Sequence, residues 1–222
     1  MGPLQMDDED FGKLLRACQE LAGLFPDGVV YIGGMAVYLH TVNCDQTRAF
    51  AGFTHDADFY ISLADMADLR DIEEVVANRR LSKHQLTKAG FEFDIYTERH
   101  STLIVPYDQV MAYAVCYDTV RVACVEHLMA LKLEAYRARH ASTKGQKDAR
   151  DLIGLALVAD AQKPHLRKEL LLAYTSEEHL TLLERVQRGP EFLSMARGNA
   201  QQAREMRQQY ARALKGIIAP KR

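Results

Sequence analysis

A run of four strand formers, Val29-Val30-Tyr31-Ile32, meets two glycines, Gly33 and Gly34, and the chain then reads helical from Met35 to His40. This is the feature that most narrows the fold. A strand that passes through glycine straight into a helix brings the backbone N–H groups of the helix N-terminus to the strand's C-terminal edge, a place that favours phosphates and other anions. A strand and a helix joined so closely belong to an α/β layer.

The neighbouring segments extend that layer. A helix is predicted over residues 8–25, with Phe11, Leu14, Leu15, Cys18, Leu21, Ala22 and Phe25 on one face. Residues 43–52 are polar and read as a loop. A second strand is expected within 53–62, and a helix over 64–78 with Leu69, Ile72 and Val76 inward. Residues 91–96 alternate strictly, with Phe91, Phe93 and Ile95 on one face and Glu92, Asp94 and Tyr96 on the other. Further strands are expected at 103–105 and 119–124, and a long helix at 125–140. The loop 141–146 is the best candidate hinge. Beyond it the spacing predicts helices over 147–159, 166–174, 177–187 and 199–217, separated by Pro164, the stretch 174–176 and Gly189-Pro190. The expected organisation is an α/β domain over residues 1–124, its mixed sheet flanked by helices, and a helical C-terminal domain over 125–222 that completes a cleft.

Composition removes several function classes. Over 222 residues, 48% hydrophobic and 26% charged residues exclude wholesale disorder. A balance of 28 basic against 30 acidic residues excludes a globally basic nucleic-acid coat. No apolar run approaches the ~18 residues that a membrane span needs. The acidic start Asp7-Asp8-Glu9-Asp10 is unlike a signal peptide, so the expectation is a soluble, cytoplasmic protein with no membrane partner. Cys18, Cys44, Cys116 and Cys124 form no C-x-x-C pair and the histidines are scattered, so reduced thiols are expected and a zinc site is not.

The chemistry lies in the carboxylates. Asp56 and Asp58, two apart on a strand, project from one face, and Asp94 on a further strand is placed to join them. Three carboxylates crowded together repel one another, and a divalent cation relieves this; an all-oxygen set suits Mg²⁺ or Mn²⁺, ions that also hold substrate phosphates. A D-x-D alone is equally well a pair of solvated acids. The ordered set of strand, Gly33-Gly34, helix, D-x-D strand and third aspartate is far more specific than its parts. Lys132 shares a helix face with Val125, Met129 and Tyr136, which leaves two readings: a snorkelling ammonium, or a charge held for a phosphate. Asp148 and Asp151 open the next predicted helix, where the dipole alone favours acids. His55 is expected to be structural, and Glu92 is a weaker candidate on Asp94's face. The C-terminal helix, with Arg197, Arg204, Arg207, Arg212, Lys215, Lys221 and Arg222, reads as a packing helix with a solvated basic face or as a guide for an RNA backbone.

Ile32-Gly33-Gly34, Asp56-Ala57-Asp58-Phe59 and Phe93-Asp94-Ile95 together resemble the nucleotidyltransferase superfamily of the polymerase-beta-type fold. Gly33-Gly34-Met35-Ala36, Thr54-His55-Asp56-Ala57-Asp58, the helix segment 131–135 and Lys147-Asp148-Ala149-Arg150-Asp151 are similar to its AbiEii-like and MenT-like toxin branch. The resemblance spans residues 28–158. It implies transfer of a nucleoside monophosphate from an NTP to an acceptor hydroxyl, such as a tRNA end or other RNA. It also implies Asp56, Asp58 and Asp94 as metal ligands, Gly33, Gly34 and Lys132 at the nucleotide phosphates, and Asp148 supporting Lys132. A toxin–antitoxin or phage-defence role with a cognate antitoxin follows from the same branch. The alternatives are an enzyme of this fold acting on a small molecule or a protein, and a non-catalytic nucleotide-binding or regulatory module.

Overall fold

The computed structural model describes residues 8–99, 101–162 and 165–218. Asp7, Pro164, Lys221 and Arg222, which figured in the sequence reading, lie outside those residues. The chain divides into two compact units: Met1–Leu39 with Gly52–Cys124, and His40–Ala51 with Val125–Arg222.

The first unit opens with α1 (Asp8–Leu24), which buries Phe11, Leu14, Ala17, Cys18, Leu21 and Ala22 on the face that the 3.6-residue period predicts. β1 (Val29–Ile32) is buried at every position, so each of its residues is apolar or satisfied internally; the Tyr31 hydroxyl donates to the Cys18 carbonyl at 2.9 Å. α2 (Gly33–Val42) follows without a linking residue. β2 (Asp56–Ile61) then runs antiparallel to β1, and the Ser62 side chain caps α3 (Leu63–Ile72) by accepting from the Asp65 N–H.

Here the chain departs from the periodicity. Residues 64–78 are not one helix: α3 ends at Ile72, Glu73 is extended, and β3 (Val75–Asn78) pairs antiparallel with β4 (Lys83–Lys88). The β-branched pair Val75-Val76 favours the strand, and Ile72 and Val76, expected inward, are 56% and 59% exposed. β4 carries one large apolar side chain, Leu86, so its sequence gives no alternation to read. A 3₁₀ turn (Arg79–Leu81) joins the two strands, with Ser82 left-handed behind it.

β5 (Phe91–Thr97) pairs with β4 antiparallel and with β2 parallel. Residues 103–105 form no strand. They lead to Pro106 and α4 (Tyr107–Ala112), and the Val105 carbonyl accepts from the Tyr60 hydroxyl at 2.8 Å instead of from a neighbouring strand. β6 (Val115–Tyr117) and β7 (Val120–Val122) form a hairpin whose first strand the sequence did not announce. The result is a mixed seven-stranded sheet in the order β3-β4-β5-β2-β1-β7-β6, flanked by helices.

The second unit is helical. α5 (Val125–Arg139) packs on α6 (Thr143–Ala161), α7 (Lys168–Leu172) and α8 (Glu177–Arg188); α9 (Glu191–Met195) and α10 (Ala200–Ala213) complete it. The predicted hinge at 141–146 is instead largely the first turn of α6, because the Ser142 hydroxyl accepts from the Gly145 N–H and starts the helix at Thr143. α9 was not anticipated, being only five residues long. Residues 40–51 join this unit, and the buried Thr47 hydroxyl ties them down by donating to the Thr41 carbonyl at 2.8 Å. Cys18, Cys44 and Cys124 are buried thiols and Cys116 is exposed; none is in a disulfide among the described residues.

Candidate functional site

The first unit gathers the carboxylates. Asp56 and Asp58 stand on one face of β2, Asp56 exposed and Asp58 half-buried. In the parallel pairing with β5, Asp58 is in register with Asp94 and Asp56 with Glu92. In the antiparallel pairing with β1, Asp58 lies opposite Ile32, the last residue before the glycines. Gly33 has φ +69, and a Cβ built on it would collide with the Asp58 carboxylate. Glycine is therefore required twice over: for the left-handed backbone, and to let that carboxylate reach the start of α2. Gly34 is buried as the second residue of the helix.

Each carboxylate already has a partner. The Thr54 hydroxyl donates to Asp56 Oδ1 at 2.8 Å. The Lys83 ammonium forms an ion pair with Asp94 Oδ2, with only 13% and 19% of the two side chains exposed, and Gln85 Nε2 donates to Asp94 Oδ1 at 3.2 Å. Tyr96 stands next to Asp94 on the same face. Burial above all, with the charges of Asp58 and Asp94 behind it, pushes its hydroxyl well above the usual tyrosine range, so it remains a proton donor there. Lys83, Gln85 and Tyr96 were not in the sequence reading of the site. Lys83 and Gln85 lie on the strand that periodicity missed, and Tyr96 was legible only as a face-mate of Asp94. His55 is exposed and precedes β2.

The second unit holds Lys132 and Asp148 in an ion cluster. Lys132 Nζ is 2.6 Å from Asp151 Oδ2 and 3.6 Å from Asp148 Oδ1. Arg139 also grips Asp148, with Nε donating to Oδ2 at 2.7 Å and Nη2 to Oδ1 at 3.0 Å. Lys132 is 8% exposed and Asp148 1%. The ammonium is thus buried against carboxylates and does not snorkel to water. Asp148 is held by side chains and not by a helix end, since α6 begins five residues earlier. On α10 the apolar stripe Ala203, Met206, Tyr210 and Leu214 is buried as predicted. Two of its arginines are used in packing: Arg207 lies over the Phe192 ring at 5.1 Å, and Arg212 pairs with Asp160 at 2.8 Å.

The oxygen donors of Asp56, Asp58 and Asp94 have the chemistry a hard divalent cation takes. They are not closed around a common point: among the described residues no group of three His, Cys, Asp or Glu side chains is gathered to hold a metal ion. Asp94 is paired with Lys83 instead. The β2 pair is the part of the set that fits a cation.

No protein-family model matches the chain, and no curated protein sequence matches it. Among solved structures it is similar to an antigenic nucleotidyltransferase-like protein from Paracoccidioides brasiliensis, at 17% identity over 87% of this chain and 94% of that one, with a TM-score of 0.47. It is similar to JHP933 from Helicobacter pylori, at 15% identity over 96% and 95% of the two chains, with a TM-score of 0.48. It is also similar to the Megavirus polyadenylate synthase, at 15% identity and a TM-score of 0.47, over 68% of this chain and 32% of that one. Among the described residues no helix is long and apolar enough to cross a membrane.

Proposed function

We propose that the protein is a metal-dependent nucleotidyltransferase that moves a nucleoside monophosphate from an NTP to an acceptor hydroxyl. The observation that carries this reading is the carboxylate face: Asp56 and Asp58 on β2, Asp94 in register on β5, and a glycine at the start of α2 whose missing Cβ admits Asp58. Such a face, beside backbone N–H groups at a helix start, is suited to a cation and the phosphates it neutralises.

In this reading Asp56 and Asp58 would hold Mg²⁺ or Mn²⁺. The ion would supply Lewis-acid neutralisation of phosphate charge. Gly33 and Gly34 would let the phosphates approach the backbone. The acceptor oxygen forms a bond to the α-phosphorus, the bond from that phosphorus to the β-phosphate's bridging oxygen breaks, and pyrophosphate leaves. Asp94 would take the acceptor's proton, with Lys83 and Gln85 fixing its orientation. Lys132, paired with Asp151 and Asp148 inside the helical unit, carries the kind of charge a phosphate takes.

The acceptor we favour is an RNA hydroxyl such as a tRNA end, and the role a toxin or phage-defence component with a cognate antitoxin; both rest on the sequence resemblance. The test is to incubate the protein with Mg²⁺, total tRNA and each α-labelled NTP in turn. Label should enter RNA with one or two of the four nucleotides, and not with an Asp58→Asn variant. Label in a protein or a small molecule would move the reading to those acceptors. No transfer, together with no binding of Mg²⁺-NTP, would leave a non-catalytic module.

A further inference from the structure

A cavity of about 560 Å³ lies within the first unit, between α3 and the β3–β4 hairpin, and it shares only Lys83 with the carboxylate face. The pairing registers establish the separation. Thr97 and His84 line the cavity, and they alternate with Tyr96 and Gln85, which stand on Asp94's side of the sheet. The volume is in the range that small-molecule sites occupy, roughly 300–1,000 Å³.

Its lining has a definite chemical character. Among the described residues no carboxylate contributes to it. Arg70 from α3 and Arg79 from the hairpin turn stand at it, both exposed at the surface. Arg70 Nη2 lies 2.9 Å from His84 Nε2; a guanidinium only donates, so the imidazole accepts, and one of the five Arg70 donors is spent. Lys83 also lines the cavity but commits its charge to Asp94. Met66, 2% exposed, gives it an apolar wall, with the exposed Ala67 and Ala77 at its edge. Thr97, 2% exposed, also lines it, and its Oγ1 is buried without a hydrogen-bond partner. A buried hydroxyl left unpaired is destabilising, a penalty that a ligand reaching it would remove.

We infer that this cavity is a second ligand site, for a nucleoside monophosphate: the phosphate on Arg79 and Arg70, the base against Met66, Ala67 and Ala77, and a polar edge of the ligand on Thr97 Oγ1. Two guanidiniums and no acid select an anion, and the bidentate fork of arginine suits phosphate oxygens. The apolar wall calls for a flat, largely apolar body behind that anion. Apart from Lys83, the residues of this site take no part in the carboxylate face, and the proposal does not depend on the transferase reading.

The test is titration calorimetry on the full chain in EDTA, with 5′-AMP and 5′-UMP as probes and adenosine as the phosphate-free control. At least one monophosphate should bind, and adenosine should bind at least tenfold more weakly than 5′-AMP if that is the one. Arg79→Glu should weaken the binding at least tenfold. Ala67→Trp, a change at an exposed helix position that fills the cavity without altering charge, should abolish it. Asp58→Asn should leave it unchanged. Circular dichroism melts of each variant separate loss of binding from loss of fold. The inference is overturned if neither monophosphate binds, if Arg79→Glu and Ala67→Trp bind as the wild type does, or if Asp58→Asn removes the binding and so assigns it to the carboxylate face.

Discussion

Lys83 is the residue on which the carboxylate face turns. Its ammonium neutralises Asp94, so the face offers two acids to a cation where three stand in register. Lys83→Met should therefore tighten Mn²⁺ binding about tenfold, or ~1.4 kcal/mol, measured by calorimetry or by the loss of free Mn²⁺ signal in EPR. Unchanged affinity would show that Asp94 stays apart from the ion even when released. Gly33 is the second sensitive position. Gly33→Ala places a Cβ at φ +69 and against the Asp58 carboxylate, so it should cost about 1–3 kcal/mol in urea melts and impair Mn²⁺ binding at the same time. The shared face of Asp56 and Asp58 could be read from spacing alone, because period-two alternation states which side chains share a face; the register that sets Asp94 beside Asp58 could not. Nor could Lys83. It reaches Asp94 across a strand pairing that joins positions eleven residues apart, on a strand with no hydrophobic alternation to reveal it.

Among the elements, the helical unit makes its own predictions. Lys132→Met removes one cation from the cluster of Asp148, Asp151 and Arg139, leaving Asp151 without the partner 2.6 Å away. Breaking a buried pair costs about 3–5 kcal/mol, so the melting temperature should fall markedly. The double change Lys132→Met with Asp151→Leu should recover much of that loss in the melt; no recovery would show that the pair is not what the single change breaks. The same unit should be acid-sensitive. Burial pushes the His127 imidazole below 6.5, so the folded state prefers it neutral. The stability from this preference is complete above the unfolded value and is lost as pH falls through 6.5 towards the folded one, by at most about 1.4 kcal/mol per pH unit. Burial alone would raise the Glu126 carboxyl, but the Arg167 hydrogen bonds outweigh it and hold it below 4.5; its contribution disappears at still lower pH. Thermal melts should show both stages, and His127→Phe should flatten the first. Elements with a full period, such as α1 and β5, were legible, and β1 was legible through its run of strand formers. The short elements were not: β3 was absorbed into a predicted helix, β4 carries one large apolar side chain, and β6 and α9, at three and five residues, are too short for any period to show.

At the scale of the whole molecule, one chain carries two distinct devices: a mixed sheet with an acidic face and a helical unit with a buried ion cluster. The central claim is that the acidic face makes the protein a nucleotidyltransferase, and the order of bond breaking tests it independently of the acceptor. The measurement is a paired reaction with NTP labelled at either the α- or the γ-phosphate, with Mg²⁺ and a cell extract as the source of acceptor, for the wild type and for Asp56→Asn with Asp58→Asn. The account predicts α-label in a covalent product and an equal amount of γ-label released as pyrophosphate, both lost in the double variant. Label from the γ-phosphate in the product, release of orthophosphate in its place, or full activity in the double variant would contradict it.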